Sequence, residues 1–525
     1  MAQLITSPFS FPRKLTLTLL VSGVLAYTLI LLCDWNVYFE LLHPLSAVNE
    51  NGRGASELAL EADSYLDELI YRHDLSKKIE WAVWNIESTQ SQPEWSSVTR
   101  VPARFQPRRP RIFDIRSGTP SPAQMYKTIH LPSPEGPRPG QFDASSYVFG
   151  VSTTYERLME NDRAMIKSWQ WWLTSGKKAT NGAHIIVILD RADDHQIKSL
   201  ETALESLTIS ATVKNSAESL SAPRRYAQLA GELLAYGSGL SAVGIMKEWF
   251  ILMDENMFFP CLSLLNEKLA TYDTRQSIYI GVPSDADDWL VKDGKLTTTG
   301  GGVVVLSHDG LSKLLSLSCA GADGSTESVS HSQQWTAVIH ECMTTHGKMS
   351  MDVIPGLYTP DTNSELSELG SFETGNRPIV IRNQERGLDL VRAYLIADEC
   401  GEACFMQRFL FKDNWVLVNG VSISQYQYPV KIQTNQPPTA ESNTRRELNS
   451  PPQPNDGGMK LQLTGGGPRI VWELMDSSAD EQGVVWQAFV KKAVKALKET
   501  EAAKDDEKEE MDSVILLIWN GAKRV

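Results

Sequence analysis

The sequence predicts an α/β protein with a doubly wound sheet, a C-terminal β-containing module and one membrane-spanning helix in front of both. Three observations predict it. Apolar runs of strand length alternate with helical patterns between residues 146 and 260, short β-rich runs recur after residue 400, and a charge-free apolar stretch opens the chain at residues 15–33.

The N-terminal element comes first. Residues 15–33 are 19 uncharged positions, which at ~1.5 Å per residue span roughly the hydrocarbon core of a bilayer. Arg13 and Lys14 precede the stretch and Asp34 and Glu40 follow it, so the positive-inside rule makes residues 1–14 a cytoplasmic tail and leaves the rest lumenal. This is a single-pass type II arrangement with a signal anchor. A cleaved signal peptide is the competing reading, although the stretch exceeds an ordinary apolar signal core and no small-x-small site follows it.

Residues 34–145 read as a lumenal stem. A helix-compatible stretch covers 55–80, and nine of the 26 prolines then fall between residues 101 and 140, a composition that favours extended, poorly packed backbone. The basic cluster from Arg104 to Arg111 lies among those prolines and reads as solvated linker. With a formal charge of −14 over 525 residues, the chain has no broad attraction for nucleic acid, which needs clustered Lys and Arg. Its 42% apolar content is enough for two or three cored domains.

The ordered part follows. Residues 146–152 form a β-rich run leading into a helical pattern at 155–172; 184–190 is a buried parallel strand, 209–213 a weaker one, and a helix at 224–236 precedes the apolar run 248–254. In such a sheet, ligands bind beyond the carboxyl ends of the strands, which singles out Thr153, Asp190 and Asp254. After Gly300-Gly301-Gly302 and a Val-rich strand the pattern loosens. Strands at 415–418, 460–463, 470–474 and 514–519 make a module over residues 346–525, interrupted by a disordered loop near 436–458 and a charged run near 498–510.

Six cysteines suit an oxidising lumen. Cys33 lies at the membrane boundary, Cys319 pairs with Cys342 and Cys400 with Cys404 as candidate disulfides, and Cys261 is left over. Zinc at Cys400 and Cys404 is a competing reading that lacks a second ligand pair. No Asn-x-Ser/Thr sequon occurs.

The chemistry concentrates at Asp254-Glu255-Asn256, where a strand delivers carboxylate and amide oxygens to its tip. Oxygen donors suit Mg²⁺ or Mn²⁺, which neutralises a departing diphosphate. Polar residues closing an ordinary strand give the same pattern. Gly301 and Gly302 allow backbone to approach a ligand closely; a tight turn uses glycine for the same conformational reason.

The order of Tyr147-Val-Phe-Gly-Val-Ser-Thr-Thr154, Trp249-Phe-Ile-Leu-Met-Asp-Glu-Asn-Met-Phe-Phe259, Tyr279-Ile-Gly281, Gly300-Gly-Gly-Val-Val-Val-Leu-Ser307, Cys319 to Cys342 and Cys400-Gly-Glu-Ala-Cys404 resembles the fringe-like glycosyltransferases of family 31, in particular their fungal membrane-anchored branch. The resemblance covers roughly residues 146–520. It implies a GT-A, Rossmann-like nucleotide-sugar-binding domain over 146–345, a UDP-sugar donor, a glycan or glycoprotein acceptor, Mn²⁺ held by Asp254, Glu255 and Asn256, inversion at the anomeric carbon, and a Golgi address. Thr153, Asp190, Asp254, Gly301 and Gly302 would line the donor pocket.

Several positions depart from the family pattern. Asn256 carries no charge, Glu255 is one methylene longer than Asp, and His331-Ser-Gln-Gln-Trp335 stands where the resemblance leads one to expect Gly-Gly-Asp. Tyr358 or Ile381-Arg-Asn383 replaces expected histidines, and Arg382 is either a surface arginine or a phosphate-binding substitute for the cation. The readings left open are an active transferase, a catalytically impaired relative that binds nucleotide, and a membrane-tethered interaction protein.

Overall fold

The computed structural model describes residues 55–92, 95–106, 111–114, 128–216, 220–281, 289–292, 295–298, 302–319, 334–354, 372–373, 375, 377–383, 388–435, 460–480, 483–493 and 511–520. The predicted membrane helix at 15–33, the loops near 436–458 and 498–510, Gly301 and Tyr358 lie outside these residues. Among the described residues no helix is long and apolar enough to cross a membrane. The chain divides into two compact units, Met1–Glu68 with Thr119–Tyr126 and Leu69–Gly118 with Lys127–Val525. The described part of the first is the start of the helix Ala55–Arg72; the second holds all the sheets described here.

Its six-stranded sheet is built from β1 (Tyr147–Thr153), β2 (His184–Asp190), β3 (Ala211–Ser216), β4 (Trp249–Met253), β5 (Tyr279–Gly281) and β6 (Val303–Ser307). Between them run helices α1 (Tyr155–Leu173), α2 (Asp194–Ser206), α3 (Ala222–Ser241) and α4 (Leu262–Leu269), with α5 (His308–Ser316) and α6 (Trp335–Glu341) following β6. The spatial order is β5-β6-β4-β1-β2-β3, with β4, β1, β2 and β3 parallel and β6 antiparallel to both β4 and β5.

The period-2 geometry of a strand explains why these runs are apolar throughout. Tyr147, Phe149 and Val151 of β1 enter one core with Trp169 and Trp172 of α1 and Leu200 and Leu204 of α2. Val148 of β1 faces a second core with Tyr226, Leu229 and Leu233 of α3 and Leu311 and Leu314 of α5. Gly150 lets α3 close onto the sheet, since a Cβ there would stand 3.0 Å from Leu233 Cδ1. The caps follow local chemistry: Thr154 accepts from Arg157 N–H at α1, and Asp193 forms a capping box with Gln196 at α2. The helix predicted at 155–172 is two helices in the structure. Asn161, Asp162 and Arg163 adopt left-handed φ angles between them.

The stem expectation for residues 34–145 is corrected by the second sheet. Lys78–Gln92 lies inside the ten-stranded sheet, parallel to Asp512–Asn520 in a register running from Ile79↔Asp512 to Glu87↔Asn520. Thr99–Val101, Arg111–Asp114 and Thr128–Pro134 join the same sheet. Pro132 and Pro134 are themselves paired in the last of these strands. Ile79, Trp81, Val83, Trp84 and Ile86 are buried, and an apolar strand of this kind contributes about 1.5–3 kcal/mol per buried side chain when a partner covers it. The helix expected to reach residue 80 accordingly stops at Arg72.

The later strands follow the sequence pattern, at Trp415–Val418, Lys460–Thr464, Arg469–Ala479 and Asp512–Asn520. Cys319 pairs with Cys342 and Cys400 with Cys404, while Cys261 is a buried free thiol.

The two sheets meet at a buried polar knot around that thiol. Arg377 donates to Cys261 Sγ at 2.8 Å, Ser263 donates to Glu402 Oε2 at 2.9 Å, and the Tyr394 hydroxyl donates to Pro260 O at 2.5 Å. Burial pushes the Glu402 carboxyl up to about 7 from its ordinary 4.5, against the opposing pull of hydrogen bonds from Ser263 and Cys261 and the charge of Arg377. The native state therefore holds the proton more tightly than the unfolded chain. This contribution is fully present below about pH 4.5 and is lost as pH rises through about 7. Glu402→Gln should flatten that fall and exceed the parent in stability at pH 8 by on the order of 3 kcal/mol. Denaturant titrations across pH check it; parallel profiles for the two proteins would refute it.

Candidate functional site

The strand order reverses between β1 and β4. That makes the crevice outside their carboxyl ends the topological switch point at which open α/β sheets take ligands. Four of the predicted residues surround it. Thr153 closes β1, Asp190 closes β2, Asp254 follows β4, and Gly302 precedes β6. A fifth chain segment crosses the rim: the two-residue strand Ile381–Arg382 pairs antiparallel with Met257–Phe258, in register Met257↔Arg382, and Asn383 N–H donates to Asn256 O at 2.6 Å.

This pairing sets Arg382 against Asp254. Arg382 NH2 stands 3.5 Å from Asp254 Oδ2, while the indole N–H of Trp335 donates to Asp254 Oδ1 at 2.7 Å. Trp335 is itself fixed by a parallel stack on Tyr226, with centroids 3.7 Å apart and planes 5° from parallel, and the Tyr226 hydroxyl donates to Met253 O at 2.8 Å. Burial raises the Asp254 carboxyl above the usual range, opposed by the Trp335 hydrogen bond and by Arg382. Glu255 is likewise raised by burial and pairs with Arg157 Nε at 2.6 Å. Its backbone carbonyl accepts from Trp169 Nε1 at 3.0 Å. Asp190 Oδ2 lies 3.3 Å from Arg225 NH1, and Arg225 Nε donates to Ser152 Oγ at 3.0 Å.

Three polar atoms on this rim are buried without hydrogen-bond partners among the described residues: Thr153 Oγ1, Asp190 Oδ1 and Asn256 Oδ1. Arg191 Nε stands 3.7 Å from Asp190 Oδ1. A buried polar group left unpaired costs about 1–3 kcal/mol. Three at the ends of the neighbouring strands β2, β1 and β4 mark a place where a polar ligand restores the missing bonds.

The donor set does not fit the expected Mn²⁺. A hard divalent cation needs several free oxygen ligands, yet both Asp254 oxygens are engaged, Glu255 faces Arg157, and Asn256 is neutral. Among the described residues no group of three or more His, Cys, Asp or Glu is arranged to hold a metal.

Gly302 has a left-handed φ of +76°, and a Cβ there would stand 2.3 Å from Asp254 Oδ2 and 2.8 Å from Arg382 NH2. The left-handed backbone favours glycine here, and a Cβ would push on the ion pair above it. Gly301 lies outside the described residues. Sequence reasoning missed Tyr226, Trp335, Arg157 and Arg225; the Arg224-Arg225-Tyr226 run opening an otherwise apolar helix was the available signal. It also missed Asp352. That residue bridges to Ile280, and its N–H donates to Tyr279 O at 2.9 Å, extending the edge of the sheet one segment beyond β5. Desolvation raises its carboxyl although the residue is exposed. A separate cleft of about 400 Å³, lined by Arg163, His195 and Lys198 among others, includes none of the predicted residues.

No family model matches the chain, and no curated protein matches its sequence. Solved structures do resemble part of it. The apo-form glycosyltransferase GlyE of Streptococcus pneumoniae TIGR4 aligns at 8% identity and a TM-score of 0.29, over 48% of this chain and 55% of that one. The inositol-1-phosphate CTP transferase from T. maritima aligns at 14% identity and a TM-score of 0.25, over 40% and 86%. A putative glucose-1-phosphate thymidylyltransferase from Bacillus anthracis gives 10% and 0.24, over 39% and 87%. The chain spans about half the length of GlyE, and each likeness is confined to less than half of this chain.

Gly302→Ala should lower stability by about 1–3 kcal/mol, because it combines a strained φ with displacement of the Asp254–Arg382 pair. The denaturant midpoint measures it. An unchanged midpoint would mean that the rim has room the geometry denies.

Proposed function

We propose that this protein is a nucleotide-sugar-dependent transferase of the glycosyltransferase type, binding a UDP-linked sugar across the carboxyl ends of β2, β1 and β4. The observation that carries the reading is the set of unpaired buried atoms, Thr153 Oγ1, Asp190 Oδ1 and Asn256 Oδ1, gathered at the switch point of a doubly wound sheet. A nucleoside supplies the matching groups. Ribose hydroxyls and base N–H groups donate to Asp190 and Asn256, and Thr153 can donate as well as accept.

In the reaction, an acceptor hydroxyl on a glycan or protein attacks the anomeric carbon. The new C–O bond forms on the face opposite the breaking bond to the diphosphate, so the configuration inverts and UDP leaves with the bonding electron pair. A carboxylate takes the hydroxyl proton. A lumenal Golgi location behind the 15–33 helix belongs to this proposal.

A second reading has its own support. Asp254 and Glu255 are engaged by Arg382 and Arg157, which suits a domain that binds nucleotide without turnover. Release of free UDP from UDP-hexoses in the presence of acceptor separates the two.

Thr153→Val and Asp190→Asn should each weaken UDP binding to the full-length chain about tenfold, the equivalent of one ligand hydrogen bond near 1.4 kcal/mol. Equilibrium dialysis with labelled UDP reads this directly. Parental affinity in both variants would place the nucleotide elsewhere.

A further inference from the structure

We propose that Arg382 occupies the role a divalent cation would fill at this rim, so that a nucleoside diphosphate is held by guanidinium groups and binds without metal. The inference rests on the nucleotide-binding reading above and specifies how that site recognises its ligand.

Its starting point is charge already balanced by the protein. Three carboxylates at the ends of β2 and β4 each have an arginine: Asp254 has Arg382, Glu255 has Arg157, and Asp190 has Arg225. A cation entering at Asp254 would compete with Arg382 at Oδ2 and with the Trp335 indole at Oδ1. Displacing the indole would break the Tyr226–Trp335 stack, which is tied through the Tyr226 hydroxyl to the end of β4.

Arg382, in contrast, is placed by backbone pairing. Its strand is held in register with Met257–Phe258, and Asn383 N–H anchors the next residue to Asn256 O. The single contact to Asp254 leaves most of the five guanidinium donors for a ligand, and the side chain retains 30% exposure, open to the rim. Arg157, with 49% exposure, adds a second cation beside Glu255. Gly302 keeps the space under the pair clear, since a Cβ would collide with Asp254 Oδ2. A planar guanidinium forms paired hydrogen bonds to phosphate oxygens, which replaces both the charge and the bridging geometry of a metal.

Calorimetric titration of the full-length chain with UDP tests this, first in EDTA and then in Mn²⁺. The expected dissociation constants agree within about twofold. Arg382→Ala should weaken UDP binding at least tenfold (about 1.4 kcal/mol), and Arg382→Lys should recover part of that loss. Binding that requires Mn²⁺ and vanishes in Asp254→Asn overturns the inference and leaves the transferase reading standing. Parental UDP affinity in Arg382→Ala also overturns it. Failure of the parent to bind UDP in either condition overturns the nucleotide site and this inference together.

Discussion

The candidate site is organised around one carboxylate, Asp254, held on one side by an indole and on the other by a guanidinium. Its position depends on elements distant in sequence. β4 delivers the residue to the rim, α6 brings Trp335 to Oδ1, and the short strand at Ile381–Arg382 brings the cation to Oδ2. A half-buried carboxylate is stabilised when both its oxygens are engaged in this way. Gly302, the Tyr226–Trp335 stack and the Met257↔Arg382 register are all conditions for that arrangement.

The sheet beneath makes such placement accurate. β4, β1 and β2 are in parallel register and covered on both faces, with one core under α1 and α2 and the other under α3 and α5. Close packing leaves the strand ends little freedom. Polar groups left unpaired there are consequently held ready for a ligand, and binding does not have to order them first.

Much of this was legible in the chain. The apolar runs at 146–152, 184–190 and 248–254 marked β1, β2 and β4 because a strand buried on both faces has no polar alternation, and their ends named Thr153, Asp190 and Asp254. Arg382 was visible as an alternative to a cation. Between residues 78 and 134 the proline density obscures the buried Ile79-x-Trp81-x-Val83 alternation, whose partner strand lies more than 400 residues downstream. Trp335 was seen only as a missing acid. Nothing local says that an indole from α6 reaches Asp254, since that contact depends on how α3 and α6 stack. The acidic triplet is similar: the sequence shows candidate oxygen ligands but not the arginines folded against them.

The most direct measurement is a crystal structure of the protein grown with UDP and Mn²⁺, with anomalous data collected at the manganese edge. The account predicts nucleotide across the ends of β2, β1 and β4, its diphosphate on Arg382, and no anomalous peak at Asp254. A manganese peak bonded to Asp254 and the diphosphate, with Arg382 turned away, would contradict it.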